Sequence, residues 1–356
     1  MNNKYLKGYT LRVLFSFLSL FLVASIASAA EENESGEFNA TEMIMHHISD
    51  SHEFHIMGEG ENSISLPLPV ILITDNGLDV FLSSKFHHGE ETVTTDIGSY
   101  ELIHDEIYYA GTYEEGEDGH GHGEQPLDFS ITKNVFSMIM SAIIIVLVFG
   151  SVARAYKKRP GAPKGLQSLI EPLIIFVRDE IAIPNIGDKK YMRFMPFLLT
   201  VFFFIWLNNL IGLVPFFPGS ANLSGNISFT FTLALMTLIV TNFSASKDYW
   251  KHIFWMPGVP IPIKILLAPI EVISIFTKPF ALMVRLFANI TAGHIVVLSL
   301  ISLVFIMKTA LAGFASVPLA LFINVLELLV AFLQAFVFTL LSALFIGQAV
   351  AEHEHH

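Results

Sequence analysis

Arg285 lies in KPFALMVRLFANITAGHIVV, residues 278–297, and His294 follows it by nine positions. A guanidinium stays protonated at any accessible pH. Holding it at mid-bilayer depth costs from about 2.5 to more than 10 kcal/mol, depending on the scale. Snorkelling to a headgroup does not relieve that cost, because apolar residues extend far on both sides. A structural ion pair would need an acid at the same depth. The final apolar stretch supplies Glu327, with Gln334 seven residues further on. If the two helices run antiparallel, one register sets Arg285 opposite the neutral Gln334. The same register sets His294 opposite Glu327, roughly 13 Å away along the axis. Arg285 then has no counter-ion of its own chain at its own depth, and its anion must come from another subunit or a moving ligand.

Helical spacing sorts these groups onto faces. Asn289, four residues from Arg285, shares its face, and Gln334 shares the face of Glu327. His294 points roughly opposite Arg285. Imidazole titrates near neutrality, so a His294–Glu327 pair reached by water can pass protons. The same two residues also fit a structural pair that merely neutralises itself. Glu271, fourteen residues to the other side of Arg285, fits either a matching exit or an interfacial acid. A permanent cation between two aqueous half-paths stops ions running straight through. It also forces a carboxylate on a moving partner to release its proton before passing.

Long apolar elements must hold such groups. Of 356 residues, 53% are hydrophobic and 15% charged, more apolar surface than a water-solvated chain of this size needs. With no cysteine, disulfides, thiol catalysis and thiolate metal sites are excluded. The net charge is −12, with most acids before Asp128 and most bases after Arg154. That asymmetry argues against a nucleic-acid partner. Apolar spans are expected at 135–152, 194–217 and 228–243, and two more between about Ile263 and Val350, separated around Lys308. Lysine and arginine crowd the first and third connections, which places those inside, the N-terminus outside and the C-terminus inside. The predicted fold is therefore all-α and polytopic, with five transmembrane helices. The last two are overlong: residues 268–307 would reach about 60 Å against a hydrocarbon core of about 30 Å. They must be strongly tilted, or break at Pro279.

Residues 1–29 carry Lys4, Lys7 and Arg12, an apolar run and Ala27-Ser28-Ala29, the pattern of a cleaved signal peptide. Residues 30–132 form a small acidic extracytoplasmic segment with a β-hairpin predicted around Asn76-Gly77. The flank EEGEDGHGHGEQ has the composition of disordered chain. Histidines in MHHISDSHEFH and HGH lack regular ligand spacing, so no metal site is expected. Residues 133–350 form the membrane domain, and 351–356 a cytoplasmic tail. SLIEPLIIFVRDEIA (168–182) is amphipathic, suited to the cytoplasmic membrane face or to packing on the bundle. No phosphate-binding GxxxxGK[ST] loop occurs, so neither nucleotide nor another cofactor is expected on this chain.

Over about residues 130–350 the sequence resembles the subunit a family of F-type ATP synthases, the stationary proton-channel subunits of the membrane sector. KPFALMVRLFANITAGH resembles the family's arginine helix, LELLVAFLQAFVFTLL its last helix and WLNNLIGLVPF its asparagine-bearing span. The resemblance implies that Arg285 is the stator arginine facing the c-ring carboxylate. It implies Asn289 and Gln334 as polar neighbours there, His294 and Glu327 as the outer half-channel relay, and Glu271 as a cytoplasmic half-channel group. It further implies c-ring proteolipids and peripheral-stalk b subunits as partners, one copy per complex, and a bacterial inner membrane. The chain itself would be non-catalytic. Family members often have an acid where His294 stands and a histidine where Glu327 stands; here the two are exchanged. Some carry an acid at the position of Gly212, which cannot act as a relay here. An independent secondary transporter or channel, with Arg285 binding an anion, is the alternative; no internal repeat supports it.

Overall fold

A computed structural model describes residues 41–351, apart from 42–43, 46–47, 58–63, 90, 116–120, 159–162, 215–218, 220, 257–258 and 308. The proposed signal peptide and the tail beyond Ala351 lie outside the described residues. The chain divides into two compact units. One comprises the chain up to Ile139, with Ile211–Ala221 and Ile295–Ile323; the other comprises Met140–Leu210, Asn222–His294 and the chain from Asn324.

The polar N-terminal region is richer in strands than one hairpin. β1 (Glu53–Met57) pairs with β2 (Ile64–Pro67). β3 (Pro69–Thr74) pairs with β4 (Gly77–Leu82) on one side and, on the other, with a strand formed much later in the chain at Leu127–Asp128. β5 (Val93–Thr94), β6 (Ser99–Ile103) and β7 (Glu106–Tyr109) make a second three-stranded sheet. β8 (Glu114–Glu115) pairs with β9 (Gly121–His122), where the sequence predicts disordered chain. The late strand Leu127–Asp128 is β10. Alternation along β3 and β4 sends Val70, Leu72 and Phe81 into a core with Phe86, Val93, Tyr100 and Ile107. The hairpin forms one residue earlier than predicted: Thr74 pairs with Gly77, so Asp75 and Asn76 make its tip. Gly77 opens the return strand at φ 135°, an angle that residues with a Cβ rarely adopt.

This domain is tied directly to the first membrane helix, α1 (Lys133–Lys158). Asp50 accepts from the Asn134 amide and the Thr132 hydroxyl, each at 3.0 Å, and the Lys133 amide reaches Ser51 O at 2.9 Å. Such partners satisfy amides that a helix start leaves free. The Phe54 ring meets Phe136 edge-on at 5.9 Å. His52, almost fully buried, lies 2.7 Å from Asp128. Partial burial opposes the Asp128 charge, but hydrogen bonds with His52 and Ser130 outweigh it and hold its carboxyl below the ordinary range. That contribution is present above the ordinary carboxylate pKa near 3.9 and fades as pH falls through the lower folded-state value. Asp128→Ala should leave His52 buried without its acceptor, at a cost of roughly 1–3 kcal/mol. Faster amide exchange at Phe129 and Ile131, whose amides bond Ile71 O and Pro69 O, is the expected readout; unchanged exchange would count against the junction.

Four helices among the described residues are long and apolar enough to cross a membrane, or five if one bent pair counts as a span. They are α1; α3 (Tyr191–Gly212); α6 (Ile261–Met307); and α7 (Ala310–Val350). Between α1 and α3, α2 (Leu166–Phe176) continues through a π turn, Val177–Ala182, to Ile186. Ile170, Val177 and Ile181 enter the same core as Leu198 and Phe202, so this amphipathic segment packs on the bundle while Leu166 and Leu169 stay exposed. Gly347 of α7 permits that approach, since a Cβ there would lie 1.9 Å from Asn185 O.

One boundary departs from the sequence reading, and two features sharpen it. α3 stops at Gly212 rather than Phe217; Pro215 follows in sequence, and proline disfavours helix at its own and the preceding position. The third span, α4 (Ile227–Phe243), has only 17 residues, about 26 Å, and qualifies only together with α5 (Lys247–Phe254), bent from it by 102°. Ser246 marks that bend: its hydroxyl caps α5 by accepting from the Tyr249 amide, and its own amide donates to Ala349 O. α6 does not break at Pro279; it runs unbroken for 47 residues through Pro269 and Pro279, and α7 runs for 41. At 1.5 Å per residue these are about 70 and 60 Å long, roughly twice the hydrocarbon thickness.

Candidate functional site

The site is built on facing stretches of α6 and α7, within the unit that holds residues 222–294 and 324 onward. Contacts at two heights define their pairing. Lys278 Nζ donates to Gln348 Oε1 at 3.1 Å and lies 5.6 Å from the Phe345 ring centre. Sixteen residues along α6, His294 Nε2 stands 3.6 Å from Glu327 Oε1. Residue numbers rise on one helix as they fall on the other, so the helices are antiparallel, and His294 meets Glu327 as the sequence predicts; a constant register would set Lys278 opposite Ala343, five residues from Gln348.

His294 and Glu327 come together in the interior, with side chains 18% and 4% exposed. Their separation exceeds hydrogen-bond length, and the buried Glu327 Oε1 accepts no hydrogen bond among the described residues. The carboxylate lies against Gly293, where a Cβ would come within 2.9 Å of Oε1. A small residue beside the histidine is therefore what lets the acid reach it. A buried carboxyl close to, but not locked onto, an imidazole can take a proton from one side and give it up on another.

Arg285 and Gln334, set opposite each other in the sequence reading, diverge in orientation. Gln334 is buried, whereas Arg285 is exposed on the outer surface of α6 with Asn289 one turn along. Among the described residues Arg285 makes no ion pair and no hydrogen bond. Sequence explains the missing pair: from Val272 to Leu326 the chain contains no acidic residue. Around the guanidinium the exposed stripe is uncharged, with Phe280 and Val284 before it and Ala288 after it. His294, with its side chain 18% exposed, and the exposed Arg285 thus do not share a surface.

Glu271, partly exposed, lies near enough to Tyr249 of α5 to act on it electrostatically. Tyr249 belongs to a small open cavity that also takes in Thr241, Asn242, Lys278 and Gln348. Asn242 Oδ1 and Thr241 Oγ1 are buried there without hydrogen-bond partners among the described residues.

Sequence reasoning passed over several participants. Asn209 of α3 donates to Ala331 O at 3.4 Å, one turn from Glu327, and accepts from Ser224 Oγ at 2.5 Å. Thr237 of α4 and Ser342 of α7 lie 3.3 Å apart, both buried. The available signal was the presence of small polar residues inside otherwise apolar spans; the Thr237 and Ser342 hydroxyls also donate within their own helices, to Leu233 O at 3.2 Å and Phe338 O at 2.8 Å. Among the described residues no group of three or more His, Asp or Glu could hold a metal ion.

The sequence profile described as "ATP synthase A chain" matches residues 135–347. A second profile, a domain of unknown function (DUF8433), matches residues 43–129. ATP synthase subunit a of Chloroherpeton thalassium is 52% identical over 233 residues, which cover 64% of this chain and 69% of that protein. ATP synthase subunit a 2 of Chlorobaculum tepidum is 46% identical over 237 residues, covering 64% and 66% respectively. ATP synthase subunit a of an Anaeromyxobacter species (strain Fw109-5) is 44% identical over 257 residues, covering 67% and 61%. Each alignment spans about two thirds of the relative's length.

Proposed function

The chain belongs to the ATP synthase A chain family, subunit a of the F-type enzyme, and from that premise we propose that it is the stationary wall past which a ring of carboxylate-bearing proteolipids turns. Family membership places it in the membrane sector that couples proton transport to ATP synthesis, rather than among autonomous transporters. One observation carries the proposal: an exposed, permanently charged Arg285 with no partner among the described residues, on an uncharged helix face. Lipid is a poor neighbour for that group; a rotor carboxylate is a good one.

In this reading protons arrive from outside through the His294–Glu327 pair and load a ring carboxylate. After nearly a full turn they leave towards the cytoplasm beside Glu271 and the Lys278 cavity. Arg285 stands between the two half-paths, with Asn289 one turn along the same face as a neutral hydrogen-bonding group. Each charge moved through 100 mV is worth about 2.3 kcal/mol, so several crossings drive one ATP. The mature N-terminus and the acidic domain face outward, residues 1–29 are removed as a signal, and the C-terminus is cytoplasmic in a bacterial inner membrane. Peripheral-stalk b subunits hold the single copy still, and catalysis on nucleotide takes place elsewhere in the complex.

Because the chain lacks cysteine, introduced thiols are unique, and cross-linking tests the arrangement. A cysteine at Ala288, on the Arg285 face, should cross-link to a ring-proteolipid cysteine placed near the depth of the ring acid. One at the exposed Ile143 of α1 should not. Equal cross-linking at both positions, or none at Ala288, would remove the proposed rotor face.

A further inference from the structure

The sheet of β4, β3 and β10 has an exposed apolar face opposite the one that packs inward. One side carries Val70, Leu72 and Phe81 into the domain core. The other exposes Ile73, Leu78, Val80, Leu82, Leu127 and Phe129, each 42–66% accessible. These are cross-strand neighbours: Ile73 is paired with Leu78 on one flank and Leu127 on the other. No position on this face is charged. Six large side chains about half exposed amount to an area on the order of the largest apolar patches of soluble monomers. A domain facing only water would alternate polar residues here.

We infer that this face rests in the interfacial zone of the lipid leaflet at the N-terminal end of α1. The occupant is lipid because the sheet continues directly into a membrane helix. After β10, Phe129 and Ile131 keep donating to Ile71 O and Pro69 O, and the Lys133 amide bonds Ser51 O. The apolar face thus runs without a tether to the first residue of α1. At about 3.3 Å per residue, Phe129 lies within roughly 13 Å of that helix start, comparable with the depth to which interfacial elements bury an apolar face. A second copy is a poor occupant. Between Glu42 and Asp128 the chain has nineteen acidic residues and one lysine, so two such domains repel each other. The face would anchor the domain of unknown function to the bilayer as a monotopic element.

The test uses the intact complex in phosphatidylcholine nanodiscs, with single cysteines at Leu78→Cys, Val80→Cys and, as a control on the exposed Thr92, Thr92→Cys. Each carries an environment-sensitive fluorophore. Lipids bearing a nitroxide should quench positions 78 and 80 by about twofold or more while leaving 92 bright, and aqueous iodide should do the reverse. Iodide quenching at 78 and 80 equal to that at 92 would show the face in water and overturn the inference. Protection from both quenchers would show a protein covering it, and would overturn it equally.

Discussion

Arg285→Ala abolishes proton-driven ATP synthesis, with residual rates expected at least about 100-fold below wild type. The side chain lies on an otherwise uncharged stripe and has no partner among the described residues. Removing it costs the fold little, because it is exposed and no hydrogen bond or ion pair among the described residues depends on it. What disappears is the electrostatic barrier between the two half-paths and the attraction that strips a ring carboxylate of its proton. Arg285→Lys should recover little. A lysine ammonium is compact and shifts its pKa readily in apolar surroundings, whereas the guanidinium remains charged and presents a planar fork. Inverted vesicles energised by respiration supply the assay, with assembly verified by recovery of the subunit in the purified complex. Wild-type synthesis in a correctly assembled Arg285→Ala complex would defeat the proposed mechanism.

The second large effect lies at Glu327. Glu327→Gln keeps the volume packed against Gly293 and removes the ionisable group, so proton-driven synthesis should fall about tenfold or more. A purely structural role predicts another outcome: the neutral amide, unable to bear an uncompensated buried charge, should preserve activity. The reciprocal replacement separates the readings further. His294→Glu combined with Glu327→His retains one imidazole and one carboxyl within the same 3.6 Å contact. It should restore much of the activity that each single change loses, and shift the pH profile of synthesis. Double-variant activity no better than the worse single variant would show that position, rather than pair chemistry, governs the site.

Much of this organisation is legible in the linear chain. A guanidinium within twenty largely apolar residues announces a functional group, because hydrocarbon tolerates charge only for a reason. The α6–α7 register is also readable, since a constant rise per residue converts sequence offsets into depth. Matching His294 to Glu327 on that ruler agrees with the observed contact. The overlength of both helices follows from the same arithmetic.

Tertiary structure decided what depth alone cannot: which way each group turns. The sequence sets Arg285 opposite Gln334, yet one faces outward and the other is buried, because rotation about the helix axis is settled by what packs on the opposite side. Leu282, Leu286 and Ile290 enter the core and leave Arg285 outside it. The short α4 joined to its bent continuation, the unbroken α6 across Pro279, and the Asn209 link to Ala331 likewise depend on neighbours distant in sequence. So does the double-faced outer sheet, whose strand β10 joins β3 across more than fifty intervening residues. Local pattern specifies periodicity and depth; long-range packing selects the exposed face, and in this chain the proposed chemistry depends on which face that is.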